Sequence, residues 1–546
     1  MSWYLIAAAI GCAVLIPIGI FYWQAFADGG AGIRGLFDLP NFGQILFNTV
    51  ALAFGSTVMA LVLALVLAKA IVHVPRRFQT IASMIPLLPI VTPPVAMVIG
   101  WTFIFSPTVG YGNTLLRQLP FFSDLTTGPI NVYSMPAIIV VTGFDLTGVV
   151  FILLNARLQE IRGPLEAAAK LSGAGGVRTF LTITLPLLRP SLLAGVVVAF
   201  LLGLGQFTAP LLLGSRNGID VLTTELFKLR EHYPIDNGTI AAIGLPLLAL
   251  GIAALVFQRV ALGDQRRYVT QSGGSGGITE KTSIWALLLV IVYALFAVIL
   301  PLAAIVLVSV SPFWSGDLSQ IQFTMNNITA ALSSPAVLDS IWTTLFTSFI
   351  AVAIALPLGF VGALALTSVF KAPRIVQYIL DFSFQAPLAV PRAVLGMAIL
   401  YVFLRPPFSL YGTYALFIIG YVFVVLPFAM RTQHGSLVGL SGSLFEASRI
   451  SGASFFRTIM QIALPLARRG MVAAATLMIV LLSHDFAVSV MVRSPNRQVM
   501  GTQLYEYWAS GVYPQVAVMS LIMTVVTSAM LALTLWVGGK SALSKL

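Results

Sequence analysis

The amino-acid sequence predicts an all-α integral membrane protein with about twelve transmembrane helices, arranged as two parallel six-helix repeats. Three observations predict this fold: a scarcity of charge, a series of long apolar stretches and an internal repeat. Charged residues make up 9% of the 546 residues and apolar residues 58%. A water-soluble chain of this composition would lack the polar surface to cover itself, so lipid is the expected solvent.

The apolar stretches are long enough to cross a bilayer as helices. A helix needs about 20 largely apolar residues to span a hydrocarbon core of roughly 30 Å, because its backbone polar groups must be satisfied internally. Twelve stretches meet this requirement: 3–26, 45–69, 81–106, 133–155, 189–213, 238–258, 284–310, 338–366, 376–404, 411–431, 470–492 and 514–538. The first is predicted to be a retained helix, since no Lys or Arg precedes it and its apolar run is too long for a signal-peptide core.

The distribution of basic residues predicts that both termini lie in the cytoplasm. In this orientation the cytoplasmic loops hold 21 of the 30 Lys and Arg residues, the external loops hold eight, and Arg392 falls within a span. Cytoplasmic loops of membrane proteins are enriched in such residues. The net charge of +12 is therefore an orientation signal, and no nucleic-acid partner is expected because the charges are dispersed.

A Gly/Ser-rich stretch divides the chain after the sixth predicted span. Residues 271–283, which include QSGGSGG, predict a flexible cytoplasmic linker. It separates a first half, 1–270, from a second half, 284–546. Each half has six spans and begins on the same side of the membrane, so the halves are predicted to be parallel repeats. A substrate route between them is the simplest use of that symmetry.

Internal similarity supports the duplication. An offset of 279 residues aligns Ser172–Arg189 with Ser451–Arg468, and ten of these 18 positions are identical, where chance would give roughly one or two. The second spans align more loosely, with Phe47–Thr49 against Asp339–Ile341. The third spans align through PIVTP, which ends at Pro93, and PLAVP, which ends at Pro391.

The best-matched segment falls in a cytoplasmic loop between the fourth and fifth spans, at about 157–188 and 432–467. In the first loop EAAAKL, from Glu166, predicts a short helix that Gly173 ends before Leu185-Pro186 begins the next span. The second loop repeats this order of residues. Two short helices placed symmetrically on one face predict docking sites for a partner of matching twofold symmetry.

The order Glu-Ala-Ala, Gly-Ala, Leu-Pro between two membrane helices resembles the EAA loop of binding-protein-dependent ABC importer permeases of type I. The resemblance covers essentially the whole chain. It implies that a short coupling helix of each loop binds a groove of a nucleotide-binding subunit. The implied coupling residues are Glu166, Ala167, Gly173 and Ala174 in the first half, and Glu446, Ala447, Gly452 and Ala453 in the second.

The resemblance also implies the partners and the location. A homodimeric ABC ATPase would bind on the cytoplasmic face and carry ATP and Mg, and a periplasmic or lipid-anchored solute-binding protein would deliver solute outside. The membrane would be the bacterial cytoplasmic (inner) membrane. The fused arrangement, with LLLGSRNGIDVLTTELFKL at 211–229 and SGVYPQVAVMS at 510–520, is most similar to ferric-iron-type permeases. Ferric iron is the expected solute; a phosphonate, a polyamine, thiamine or another small polar solute are alternatives.

One departure from the family pattern concerns the first loop. Glu446 stands six residues before Gly452, whereas Glu166 stands seven before Gly173, so Ala167 occupies the equivalent position. One residue is about 100° of rotation on a helix. We therefore expect Glu446 to make the coupling contact more reliably than Glu166.

The chain is expected to have no catalytic site and no cofactor of its own. A P-loop needs Gly-x4-Gly-Lys-Ser/Thr, but Gly539-Lys540-Ser541 has Thr534 where the first Gly belongs. The Gly-x-Ser-x-Gly pattern at 273–277 lies in the linker rather than between a strand and a helix. ATP hydrolysis is therefore expected on another subunit.

Ionisable residues within predicted spans are the candidates for the translocation path, because such groups are costly in lipid. The 279-residue offset pairs Gln206 with Asp485, and we predict that both face the path. Arg392 and Asp145 are further candidates. Arg392 either lines the path or pairs with Asp485 or Asp145.

Two other polar residues have structural interpretations. Asp381 is expected to pair with Arg374 near the cytoplasmic end of its span, and His484 to hydrogen-bond to a neighbouring helix. The four His are scattered, so no metal site is expected.

Two other classes of function remain as alternatives. An ion-gradient-driven secondary transporter would use intramembrane carboxylates such as Asp145 and Asp485 for coupling. An integral-membrane enzyme would need a catalytic cluster, and none is visible at helical spacing.

Overall fold

The computed structural model describes residues 2–161, 169, 171–262, 282–367, 372–438 and 442–538. Within these ranges the regular structure is helical, apart from one isolated bridge between Ser494 and Arg497. Nine described helices are long and apolar enough to cross a membrane, and three bent helix pairs bring the total to twelve. The prediction of an all-α membrane fold with about twelve spans is confirmed.

The helices are numbered along the chain. In the first half they are α1 Ser2–Trp23, α2 Ala27–Asp38, α3 Phe42–His73, α4 Arg76–Met84, α5 Leu88–Val91, α6 Pro94–Phe105, α7 Tyr111–Arg117, α8 Met135–Ile161, α9 Gly176–Thr179, α10 Leu185–Leu204, α11 Leu222–Glu231 and α12 Asn237–Leu262. In the second half they are α13 Ile284–Ala294, α14 Leu300–Ser309, α15 Asn326–Ser333, α16 Pro335–Leu366, α17 Arg374–Ala389, α18 Arg392–Phe403, α19 Tyr414–Val438, α20 Gly442–Ile450, α21 Phe455–Thr458, α22 Leu464–Ser483, α23 Ala487–Val492, α24 Met500–Ala509 and α25 Tyr513–Gly538.

The chain packs as two compact units that differ from the two sequence halves. Unit 1 comprises residues 1–39, 226–245 and 324–546, and unit 2 comprises 40–225 and 246–323. Each unit thus contains the first span of the other half. The boundary that the sequence suggests at 271–283 is not a boundary between units, and residues 271–281 of that segment lie outside the described part of the chain.

In unit 2 the exchanged span, α13 to α14, packs into the core of the first half. Val290, Tyr293 and Ala297 are buried against residues of α3 and α8. At Gly100 of α6, an added Cβ would lie 2.5 Å from the carbonyl oxygen of Pro301. This close approach requires glycine, and it fixes the exchanged span against the third span.

In unit 1 the exchanged span is α1, which packs against α17 and α18. Phe21 is fully buried, and its ring meets that of Tyr401 edge-on at 6.2 Å between centroids. Near the start of α1, Trp3 packs against a cluster that includes Phe360 and Phe445. The first span therefore runs along the second-half spans over most of its length.

The third span of each half, predicted at 81–106 and 376–404, is sharply bent. The bend is 95° between Arg76–Val91 and Pro94–Phe105, and 109° between Arg374–Ala389 and Arg392–Phe403. Thr92 and Val390 are extended immediately before Pro93 and Pro391. A residue before proline disfavours the helical region, and proline has no N–H to continue the ladder.

Each fifth span begins with one wide turn. The π-helical turns at Phe180–Thr184 and Ile459–Ala463 differ by 279 residues. The next residue in each case, Leu185 or Leu464, donates its N–H to the carbonyl five residues earlier. A proline follows immediately, and because its ring would clash with the carbonyl four residues back, the turn widens.

Candidate functional site

The two loops at about 157–188 and 432–467, which are predicted to couple to an ATPase, are called the first and second coupling loops. The second coupling loop forms the predicted short helix. Helix α20 carries Glu446 and Ala447, both exposed, and ends where Gly452 takes a positive φ of 73°. The N–H of Ala453 then donates to the carbonyl of Ser448 at 3.1 Å. This is the bond that closes a helix whose last residue is a left-handed glycine.

The first coupling loop ends in the same way. Gly173 has a φ of 77°, and the N–H of Ala174 donates to the carbonyl of Ala169 at 3.0 Å. The two loops therefore keep the 279-residue register, which places Ala167 opposite Glu446. Glu166 and Ala167 themselves lie outside the described residues, so the predicted contact of Glu166 stays a prediction.

Two exposed apolar residues in these loops were not among the sequence candidates. Leu171 is 90% exposed and Ile450, its equivalent under the 279-residue offset, is 88% exposed. Their signal in the sequence is that a large apolar residue precedes Ser-Gly in both repeats. Because both lie in loops predicted to face the cytoplasm, they are candidates for contact with a partner protein.

One buried aromatic side chain anchors helix α20 to neighbouring helices. Phe445 is 3% exposed and packs in a cluster with Phe360 of α16, Leu437 of α19 and Ala467 of α22. The neighbouring Leu444 is exposed. Helix α20 is thereby packed against the ends of three spans.

Each fifth span, predicted at 189–213 and 470–492, is interrupted where Gln206 and Asp485 lie. Helix α10 ends at Leu204 and helix α22 ends at Ser483, and Gln206 and Asp485 are in non-helical backbone. Non-helical backbone at membrane depth is tolerated only where it is buried in protein or lines a water-filled cavity. The predicted equivalence of the two residues is thus matched by equivalent breaks.

The two breaks have different partners. In unit 2 the side-chain amide of Gln206 donates to Oδ2 of Asp145 at 3.1 Å. In unit 1 the guanidinium of Arg392 lies 3.9 Å from Oδ1 of Asp485, an ion pair without a hydrogen bond. Of the pairings considered for Arg392, the structure selects the one with Asp485.

Asp485 also accepts hydrogen bonds from the helix that follows it, α23. It is 3% exposed, and its Oδ2 accepts the backbone N–H of Ser489 at 3.1 Å and the Ser489 hydroxyl at 2.9 Å. The Ser489 oxygen also lies 2.9 Å from the hydroxyl of Tyr421. The carboxylate therefore caps α23 while it faces Arg392.

A pair of buried threonines supports the segments beyond the breaks. Thr49 of α3 accepts the N–H of Leu222 at 2.9 Å, and Thr344 of α16 accepts the N–H of Met500 at 2.8 Å. These donors are the first residues of α11 and α24, whose N–H groups have no partner within the helix. Thr49 thus corresponds to Thr344, three residues beyond the Ile341 that the sequence alignment suggested.

A charged cluster lies beside α24 in unit 1. Arg493 contacts Glu506, and it lies 3.1 Å from Glu231 at the end of α11. Glu231 also contacts Arg230, whose pKa is lowered because burial penalises the charged form. This cluster, in loops predicted to be external, fixes the end of α11 to α24.

Two structural predictions about membrane residues are corrected. Asp381 pairs with Arg431 of α19 at 3.3 Å rather than with Arg374, because α17 and α19 pack side by side. His484 is buried, and its Nδ1 has no hydrogen-bond partner in the described part of the chain. Among the described residues, no three His, Cys, Asp or Glu side chains are grouped to hold a metal ion.

Comparison with known proteins gives two matches to one family model along the chain. Residues 56–264 and 355–539 each match the family described as binding-protein-dependent transport system inner membrane component. Together these ranges cover more than half of the sequence. Each range lies within one of the two sequence halves.

Several curated proteins are similar over most of their length. The ferric transport system permease protein FbpB of Actinobacillus pleuropneumoniae is 25% identical, covering 98% of this chain and 79% of that protein. The putative ferric transport system permease protein FbpB 1 of Haemophilus influenzae is 28% identical, covering 86% and 75%. The spermidine/putrescine transport system permease protein PotB of Salmonella typhi is 23% identical, covering 43% of this chain and 83% of that protein.

Proposed function

Because the chain belongs to the family of binding-protein-dependent transport system inner membrane components, we propose that it imports ferric iron delivered by an external binding protein. The chain is a multi-pass ABC importer permease, and its family is one of transport rather than catalysis. The similarity to two ferric transport permeases supports the iron assignment. A polyamine is the second candidate, supported by the similarity to a spermidine/putrescine permease. A phosphonate, thiamine or another small polar solute would use the same machinery.

The observation that carries this proposal is the pair of coupling loops with matching backbone. Each loop has a glycine in the left-handed conformation, followed by a residue whose N–H donates to the carbonyl five residues earlier. Each also exposes a large apolar side chain two residues before that glycine. We propose that a homodimeric ABC ATPase binds them, with one copy on each loop. ATP and Mg would belong to that partner, and this chain would hold no cofactor.

In this proposal Glu446, Ala447, Gly452 and Ala453 form the contact of the second loop, and Ala167, Gly173 and Ala174 form that of the first. Glu166 has a lesser role because of its one-residue offset. Ile450 and Leu171 are added as apolar contacts. Motion of α20 would pass through Phe445 to α16, α19 and α22, because these helices share one packed cluster.

The polar residues at membrane depth are assigned to the translocation path. These are Gln206 with Asp145 in unit 2, and Asp485 with Arg392 in unit 1. Interrupted helices at these points leave backbone groups that a passing solute or water can contact. Both termini would be cytoplasmic, and the binding protein would unload on the outer face of the inner membrane.

The test is uptake by proteoliposomes that contain this chain, its ATPase and its binding protein. Uptake should require ATP hydrolysis, and a proton gradient without the ATPase should not sustain it. The reverse result would favour the secondary transporter. Uptake of labelled ferric iron against labelled spermidine decides between the two leading solutes.

Two substitutions test the coupling loops. Gly452→Asp and Glu446→Lys should leave the protein in the membrane but abolish ATP-driven uptake. Gly30→Asp is the matched control, because Gly30 also has a positive φ (79°) and open space around it, but lies in a segment predicted to be external. Normal uptake by both loop variants would overturn the coupling assignment.

The apolar contacts have their own test. Ile450→Ser and Leu171→Ser should each weaken co-purification of the ATPase, with similar effects because the positions are equivalent. Leu332→Ser is the control, since Leu332 is 51% exposed in a predicted external helix. Equal retention of the ATPase by all three variants would count against these contacts.

A further inference from the structure

Unit 2 contains a small cavity at the break of its fifth span. The cavity measures about 20 Å³, which is room for about one water-sized group. Four segments line it: the bend of the third span, the middle of α8, the residues just after the fifth-span break, and the exchanged span from the second half. Its polar lining includes Thr142, Asp145, Gln206 and Thr208.

One polar group of the lining has an unused hydrogen-bonding capacity. Thr142 is 1% exposed, and its hydroxyl has no hydrogen-bond partner among the described residues. A buried hydroxyl without a partner costs free energy comparable to a lost hydrogen bond. An occupant of the cavity that bonds to Thr142 would remove that cost.

A carboxylate lies one helical turn from this hydroxyl. Asp145 follows Thr142 by three residues on α8, so the two side chains are on the same face, and both line the cavity. The amide of Gln206 orients Asp145 through the bond at 3.1 Å. The cavity thus combines a negative oxygen pair with a hydroxyl oxygen that can accept a bond.

The remaining wall is apolar and includes two aromatic rings. Trp101 and Phe144 line the cavity, and their rings stack with centroids 5.7 Å apart and an interplanar angle of 28°. Aromatic faces attract cations through the ring quadrupole. Multivalent cations prefer six or more oxygen ligands. The lining has four polar side chains, so it suits a multivalent cation poorly.

From this cavity we infer a binding site for a single ammonium-sized cation, held by Asp145 and Thr142 against the Trp101 and Phe144 rings. The N–H groups of an ammonium would donate to the Asp145 carboxylate and to the Thr142 oxygen. The inference rests on the proposed transport role in that Asp145, which would hold the cation, is a residue assigned to the path. The same chemistry could come from a free ammonium ion or from the primary ammonium head of a larger solute.

The experiment is equilibrium binding of radiolabelled methylammonium to the purified full-length chain in nanodiscs. Saturable binding is expected, and Asp145→Asn should weaken it by at least about tenfold because it removes the charge of the pair. Thr142→Val should weaken it by about tenfold or more, because one hydrogen bond to a charged group is lost. Thr343→Val is the matched control, since the Thr343 hydroxyl is also buried without a partner but does not line the cavity.

Competition distinguishes the sources of the cation. If ammonium and n-butylammonium both displace the label, the site takes the head of a larger solute. If ammonium alone displaces it, the site takes the free ion. Displacement by tetramethylammonium, which has no N–H and exceeds the cavity, would overturn the inference. So would the absence of saturable binding, or unchanged binding in both Asp145→Asn and Thr142→Val.

Failure of this inference is separable from failure of the proposed function. ATP-driven uptake of solute without methylammonium binding would remove the site and leave the importer. Methylammonium binding that depends on Thr142, in a chain whose uptake needs no ATPase, would retain the site and remove the importer mechanism.

Discussion

The break at Gln206 in unit 2 and the break at Asp485 in unit 1 have a similar backbone arrangement, but the charges of their side chains differ. Each follows the end of a fifth-span helix, and each precedes a buried segment and a helix whose first N–H is accepted by a threonine of the second span. At Gln206 a neutral amide meets a carboxylate from the fourth span. At Asp485 a carboxylate meets a guanidinium from the third span.

This difference indicates which features the duplication preserved. The backbone hydrogen bonds to Thr49 and Thr344 recur in both repeats, since unpaired backbone groups are prohibitive at membrane depth. The side chains were free to diverge once their own partners were supplied. The first repeat therefore has a carboxylate beside a small cavity, and the second has a carboxylate matched by a cation.

The largest effect is expected at the charged break. Arg392→Met leaves the buried Asp485 without its ion partner and should lower the free energy of unfolding by about 3 kcal/mol, the low end for a broken buried pair, because Arg392 is 40% exposed. Unfolding by SDS titration in detergent micelles measures this. Adding Asp485→Asn should restore most of the loss. If the double variant is no more stable than Arg392→Met, the loss does not come from the unpaired charge of Asp485. The proposed difference in charge between the two breaks would then be wrong.

A smaller effect is expected at the neutral break. Gln206→Leu removes the bond to Asp145 and should lower the free energy of unfolding by about 1.5 kcal/mol, since hydrogen bonds to charged groups contribute about 1.5 to 3 kcal/mol. The same titration applies, with Gln206→Glu as a second variant that sets two carboxylates together. If Gln206→Leu cost as much as Arg392→Met, the contrast between the breaks would be lost.

The shared backbone predicts equal effects of two matched substitutions. Thr49→Val and Thr344→Val each leave the first N–H of a buried helix without its acceptor, at a cost of about 1 kcal/mol. The two losses should agree within about 0.5 kcal/mol and should add in the double variant, because the sites share no partners. Unequal losses would indicate that the equivalent bonds support the two repeats differently.

The smallest effect is expected at the exposed pair. Asp381→Asn removes the ion pair with Arg431, whose side chains are 42% and 57% exposed. Exposed pairs contribute about 0.2 to 1 kcal/mol, so the melting temperature should hardly change. A loss as large as that of Arg392→Met would mean that this pair also stabilises the membrane core.

Much of the candidate site could be predicted because its signals are local. Gly452 ends its helix as the sequence suggested, and Gly173 takes the same left-handed conformation, which favours glycine. Gln206 and Asp485 occupy equivalent positions because the repeat is well matched around them. The predicted partner of Asp381, Arg374, was wrong, because the actual partner Arg431 is 50 residues away in the sequence and only helix packing brings it close.

The sequence by itself determined the lipid solvent, the twelve spans and the repeated loop segments that end in Gly173 and Gly452, because hydropathy and repeat identity are properties of neighbouring residues. Only the tertiary structure decided that the first spans exchange between units, since an apolar helix such as α1 carries no mark of the helix it will pack against. The tertiary structure also decided that Arg392 faces Asp485. Those outcomes depend on contacts between residues far apart in the chain.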